Sequence, residues 1–183
     1  MNQEGRRPRT VRRRGTNSSR STPAPFLVAA RFLALWLLGT ALLALLPGLD
    51  RLAVRWTTAS ASRTLDFVSI AHVSSESGLL LAGEDIRIIP DCTPTQSLML
   101  LCAGLLAYPA AWGARMVGAL VGGALLTVLN LLRLILLLLI ESIYPRAFEF
   151  CHVYLWQLIT FGAVCAILVL WRRWQIGSFR HAL

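Results

Sequence analysis

The sequence predicts an all-α polytopic membrane protein, with about four transmembrane helices and a small extracytoplasmic cap of helix and hairpin. Three observations carry this. Of 183 residues 56% are hydrophobic and only 15% are charged. That is more apolar surface than a soluble domain of this length can bury. The apolar residues fall into runs of membrane-spanning length, about 17–25 residues each. The charge is also segregated: the chain has no Lys, and seven of its 18 basic residues lie in the first 20 positions.

Residues 1–25, "MNQEGRRPRTVRRRGTNSSRSTPAP", are basic, polar and Pro-containing. They hold too little apolar surface to fold alone and read as a disordered cytoplasmic tail. Such a tail ahead of an apolar run is a topology signal or an anionic-lipid contact, so the net charge of +9 points to membrane lipids and not to nucleic acid. Residues 26–46 form the first span. Their apolar run is longer than a signal-peptide core and no small-x-small cleavage site follows closely, so a retained anchor is expected. Arg31 near its inner end can snorkel to the interface.

Residues 47–91 form the expected cap. Residues 51–77 read as an amphipathic helix on the membrane surface. Residues 78–92, "GLLLAGEDIRIIPDC", alternate weakly and suggest a hairpin turning at Gly83-Glu84-Asp85. Residues 92–174 hold the core, with spans at about 95–111, 114–140 and 150–171. The second and third are joined so tightly that they must be antiparallel neighbours, and "GALVGG" supplies small residues for close helix contact. Residues 175–183 read as a cytoplasmic tail.

Orientation follows from the arginines. Four crossings with the N-terminus inside put the basic tail, Arg115, Arg172, Arg173 and Arg180 on the inner side. Eight of the nine acidic residues then accompany the outer loops. The positive-inside rule therefore favours both termini in the cytoplasm of a multi-pass inner-membrane protein.

This topology brings three chemically competent residues to one level near the outer face. Cys92 precedes the second span. Arg133 lies in the outer part of the third, seven residues or about 10 Å of helix rise before Ile140. His152 opens the fourth. An arginine within a span is costly unless it is paired or functional, and Asn130, three residues earlier on the same face, extends a polar stripe. Glu149, about one turn before His152, is a candidate to orient the imidazole. Thr93, Pro94 and Gln96 fit a capping box, with Cys92 just outside the helix start. A thiol, an imidazole and a guanidinium together suit acyl transfer through a thioester. A Cys92–Cys151 disulfide in a non-catalytic membrane assembly or export scaffold accounts for the same cysteine. Cys102 and Cys165 read as small apolar fillers. No C-x-x-C pair or Cys/His ligand spacing occurs, so no metal and no cofactor is expected.

The segments "DCTPTQSLMLLCAGLLAYPAAW", "LNLLRLILLLLI" and "FEFCHVYLWQ" resemble the exosortase/archaeosortase family of membrane cysteine transpeptidases, and within it the exosortase H branch. The likeness covers about residues 78–172. The family pattern of a Cys in a Cys-Ser/Thr-Gly motif, an Arg and a His maps onto Cys92, Arg133 and His152. The resemblance implies a membrane cysteine protease/transpeptidase acting on membrane-anchored proteins with a C-terminal sorting signal, of the Ile-Pro-Thr-Leu type for this branch. It implies transfer of the new C-terminus to a lipid, polysaccharide or amine acceptor at the outer face; water as acceptor would make the enzyme a hydrolase. One departure stands out. Pro94 occupies the family's Gly position and removes a backbone N–H that could serve an oxyanion.

Overall fold

The computed structural model describes residues 24–81 and 84–180. The expected N-terminal tail, save its last two residues, and the Gly83 position of the expected hairpin turn lie outside them. The fold is mostly helical. Helix α1 (Pro25–Leu45) and helix α2 (Pro47–Phe67) are followed by strands β1 (His72–Ser74), β2 (Gly78–Leu81) and β3 (Glu84–Arg87). A 3-10 turn, Pro90–Cys92, leads to α3 (Thr95–Ala107), α4 (Trp112–Ile143) and α5 (Pro145–Phe150). A π-helical turn, Cys151–Leu155, then joins α6 (Trp156–Arg180).

Among the described residues three helical stretches are long and apolar enough to cross a membrane: Pro25–Leu45, Trp112–Glu141 and Phe148–Gly177. Their outward surface matches that length. Leu33 and Leu37 of α1, Leu120 and Val121 of α4, and Leu158 and Phe161 of α6 are all exposed. Apolar surface of this extent on packed helices supports membrane insertion. The second expected span is shorter than its apolar run. Helix α3 has 13 residues, a rise of about 20 Å against a hydrocarbon core of about 30 Å. Tyr108 is extended ahead of Pro109, as pre-proline residues are, and this ends the helix early. At the other end of the core α6 runs on through Arg180, so most of the expected 175–183 tail is helix.

The cap departs from expectation in its second half. Helix α2 stops at Phe67 instead of continuing to residue 77, because Ser69 adopts a left-handed conformation with φ of 61°. The Ile70 amide then bonds the Leu65 carbonyl and the Ser69 amide that of Asp66, the paired closure of a Schellman motif. Ile70 folds back onto the core beside Leu65. The next residues form a three-stranded antiparallel sheet in the order β1-β2-β3, with Val73 opposite Leu80 and Leu79 opposite Ile86. Leu79 is fully buried while Leu80 is exposed, the alternation of a half-covered sheet. Glu84 and Asp85, read as turn residues, lie in β3.

Two apolar clusters organise the molecule. One packs the cap on the end of α4: Val54, Ala61 and Leu65 of α2 meet Leu79, Ile88, Leu134 and Leu138, with Cys92 against them. The other joins the long helices through Leu101 and Leu105 of α3, Leu126 of α4, and Val164 and Trp171 of α6. At that far end the Arg115 guanidinium donates to the Tyr108 carbonyl at 2.9 Å, and Arg172 lies 4.4 Å over the Tyr108 ring. The bundle thus carries cations and aromatics at one end and the cap at the other.

Candidate active site

The site is built where the cap meets the helices. Cys92 closes the 3-10 turn, and its carbonyl accepts a 3.0 Å hydrogen bond from Asn130 Nδ2. Asn130 is only 8% exposed, so its amide is committed to this contact. One turn further along α4 the Arg133 guanidinium makes a longer contact, 3.4 Å, with the Asp91 carbonyl. The polar stripe on α4 thus holds the backbone of the cysteine turn at two successive carbonyls.

The expected capping box at Thr93 does not form. Helix α3 begins at Thr95 with Pro94 as its cap residue. The Thr93 hydroxyl donates instead to the Pro90 carbonyl at 2.7 Å, and Ser97 donates to the Pro94 carbonyl. The Pro90 carbonyl, which also accepts the Thr93 amide at 3.0 Å, lies within reach of the hydroxyl, and Thr side chains favour such local bonds to the backbone. Cys92 consequently stands off from the helix start.

The π-helical turn places His152 opposite. Phe148, four residues earlier, lies beneath the imidazole, and Glu149 does not. Phe148 stacks on the His152 ring with centroids 5.4 Å apart and planes 12° from parallel. Glu149 is exposed, and the group found against the imidazole is an aromatic face and not the expected carboxylate. Wide turns of this kind recur at functional sites because they re-aim a side chain.

Cys92 and His152 line one cavity of 360 Å³. Its walls are mainly apolar, from Leu79, Ile88 and Ile89 of the cap and Leu134, Leu137 and Leu138 of α4, with Arg87 and Glu141 contributing charge and Phe148 packing beside the imidazole. Arg133 does not line the cavity. Its guanidinium reaches the Asp91 carbonyl, next to Cys92 in the turn. Sequence reasoning singled out Cys92, His152 and Arg133 but missed Phe148, Arg87, Glu141 and the apolar walls. The four-residue spacing of Phe148 and His152 was available as a signal. The walls were not, since their leucines look like any other membrane leucines.

No disulfide joins Cys92 to Cys151: all four cysteines are free thiols. Cys102 and Cys165 are exposed on the outer faces of α3 and α6 and do not fill the core as expected. Among the described residues no group of His, Cys, Asp and Glu side chains could hold a metal ion. A nucleophile class, an acid–base class and a cation therefore converge beside an apolar cavity, a set suited to acyl transfer. Comparison with protein-family models, with curated proteins and with solved structures finds no match in any of the three.

Proposed function

We propose that the chain is a membrane cysteine protease/transpeptidase, which cleaves a C-terminal sorting signal and transfers the new C-terminus to an acceptor at the outer face of the inner membrane. One observation carries the reading: Cys92 and His152, brought from separate segments, share the wall of one apolar cavity, with Arg133 on the Asp91 carbonyl beside the cysteine. The resemblance to the exosortase/archaeosortase family supports it at the same three residues.

In this reading α1, α3, α4 and α6 cross the membrane in turn, with both termini inside and α3 as the short crossing. Helix α4 sets the depth. From Trp112 to Asn130 it rises about 27 Å, close to the thickness of the hydrocarbon core. With Trp112 and Arg115 at the inner interface, the Cys92 turn sits just under the outer one. The leucines beyond, Leu134 and Leu138, are covered by the cap. Arg133 then lies at the boundary between lipid and cap, where its charge is far less costly than at the bilayer centre.

His152 takes the Cys92 proton as sulfur attacks the amide carbonyl, and passes it to the leaving amine. A thioester remains. His152 then deprotonates the acceptor, which attacks the thioester carbon, and the proton returns to the Cys92 sulfur. Arg133 contributes positive charge near the carbon where the oxyanion forms and steadies the turn that carries the thiol. With Pro94 lacking an N–H, that charge has more to do.

The test is co-expression with a reporter ending in an Ile-Pro-Thr-Leu motif, an apolar helix and a basic tail. The wild-type chain removes the tail. Cys92→Ala abolishes processing, and Arg133→Ala and His152→Ala reduce it by about 100-fold or more, with normal membrane insertion. Mass analysis of the product's new C-terminus separates transfer from hydrolysis. Processing retained by Cys92→Ala overturns the assignment.

A further inference from the structure

We infer that a second, polar pocket, between α2 and the β1–β2 hairpin, binds the phosphoryl headgroup of an anionic membrane lipid. The pocket encloses 420 Å³ and is lined by Arg55, Ser62, Arg63, Ser74, Ser75 and Glu76 among others. It shares no lining residue with the cavity at Cys92, and its assignment does not depend on the chemistry proposed there.

Its walls are fixed. The His72 side chain is 5% exposed. Its Nδ1 lies 3.0 Å from the Ile70 carbonyl and its Nε2 2.7 Å from the Ser62 hydroxyl. A carbonyl only accepts, so Nδ1 carries a proton. The ring thereby ties strand β1 to helix α2 and holds Ser62 in the pocket wall. Arg55 and Arg63 of the same helix line the pocket, and a guanidinium fork matches phosphate oxygens. The Arg55–Glu76 pair spans 3.7 Å between side chains 65% and 83% exposed. So exposed a pair is weakly held, and a doubly hydrogen-bonded phosphate can displace the Glu76 carboxylate.

The faces of α2 choose the source of the phosphate. At about 100° per residue, Val54, Ala61 and Leu65 face the core, and Arg55 and Ser62 come next around the helix. Beyond them Leu52, Trp56 and Phe67 form an apolar stripe, all exposed. Arg63 falls within that stripe. An exposed Leu, Trp and Phe stripe, bordered by Arg55 and with Arg63 free to extend its guanidinium to the headgroups, fits a helix lying in the bilayer interface. A lipid phosphate at that depth meets the pocket.

The test is native mass spectrometry of the full chain from micelles doped with phosphatidylglycerol or, in a matched arm, phosphatidylcholine. Phosphatidylglycerol occupancy exceeds that of phosphatidylcholine. The Arg55→Gln/Arg63→Gln double variant lowers it by about tenfold or more, as expected for losing charge-assisted hydrogen bonds. Glu76→Gln raises it, because the competing carboxylate is gone, and this gain does not rest on the double variant's folding. Millimolar inorganic phosphate leaves the lipid adduct in place. Equal binding of the two lipids, or occupancy unmoved in either variant, overturns the site. Displacement by inorganic phosphate overturns the lipid assignment in favour of a soluble phosphate.

Discussion

The buried amide of Asn130 donates a 3.0 Å hydrogen bond to the carbonyl of Cys92, 38 residues away in sequence. This contact joins the longest helix to the turn that carries the candidate nucleophile. Asn130→Leu leaves the Cys92 carbonyl without its donor, at a cost of about 1–3 kcal/mol. We expect a lower unfolding midpoint in detergent and weaker reporter processing at normal expression. Asn130→Asp is worse on both measures, since a carboxylate oxygen then faces a carbonyl oxygen. Wild-type stability in both variants would show the contact to be inconsequential.

The stack of Phe148 on His152 gives the imidazole its orientation. An aromatic pair of this kind contributes about 0.5–1.5 kcal/mol, so Phe148→Ala should slow processing by about two- to tenfold. Phe148→Tyr keeps the ring and should retain the rate. Glu149→Gln should retain it as well, because Glu149 is exposed and the imidazole rests on Phe148. Single-turnover rates on the reporter distinguish the three.

The two ends of the glycine scale can be tested in the helix bundle. A Cβ on Gly118 would stand 2.6 Å from Trp171 Nε1, and that ring cannot swing away cheaply because its N–H donates to the Ala114 carbonyl at 2.7 Å. Gly118→Ala should therefore destabilise by about 1–3 kcal/mol through overpacking. Gly162 meets nothing within 4 Å of its would-be Cβ. Gly162→Ala should be neutral or stabilising by up to about 1 kcal/mol, from helix propensity alone. Unfolding midpoints in one detergent compare the pair directly.

Alkylation under non-reducing conditions checks the cysteines. All four are free, so a denatured, unreduced sample should take up four maleimides by mass. In the folded protein a membrane-permeant reagent should reach Cys102 and Cys165 on their exposed helix faces. Cys151→Ser should remain active, since no bridge depends on it. A two-thiol deficit localised to Cys92 and Cys151 would restore the disulfide scaffold reading.

Sequence alone determined the parts governed by composition and by short-range spacing. The apolar runs at 26–46, 114–140 and 150–171 returned as α1, α4 and the π-turn with α6, because a chain in lipid must satisfy its backbone within helices. The four-residue-scale periodicity of α4 put Asn130 and Arg133 on one face. Tertiary structure decided what no local pattern encodes. A left-handed Ser69, the sheet beyond it and the Pro90–Cys92 turn draw the chain before α3 over the end of α4. Thr93 gave up its cap role to that turn. The apolar walls of the cavity come from β2, the chain after β3 and the end of α4. Their meeting is a product of long-range packing between segments that in sequence look like ordinary hydrophobic stretches.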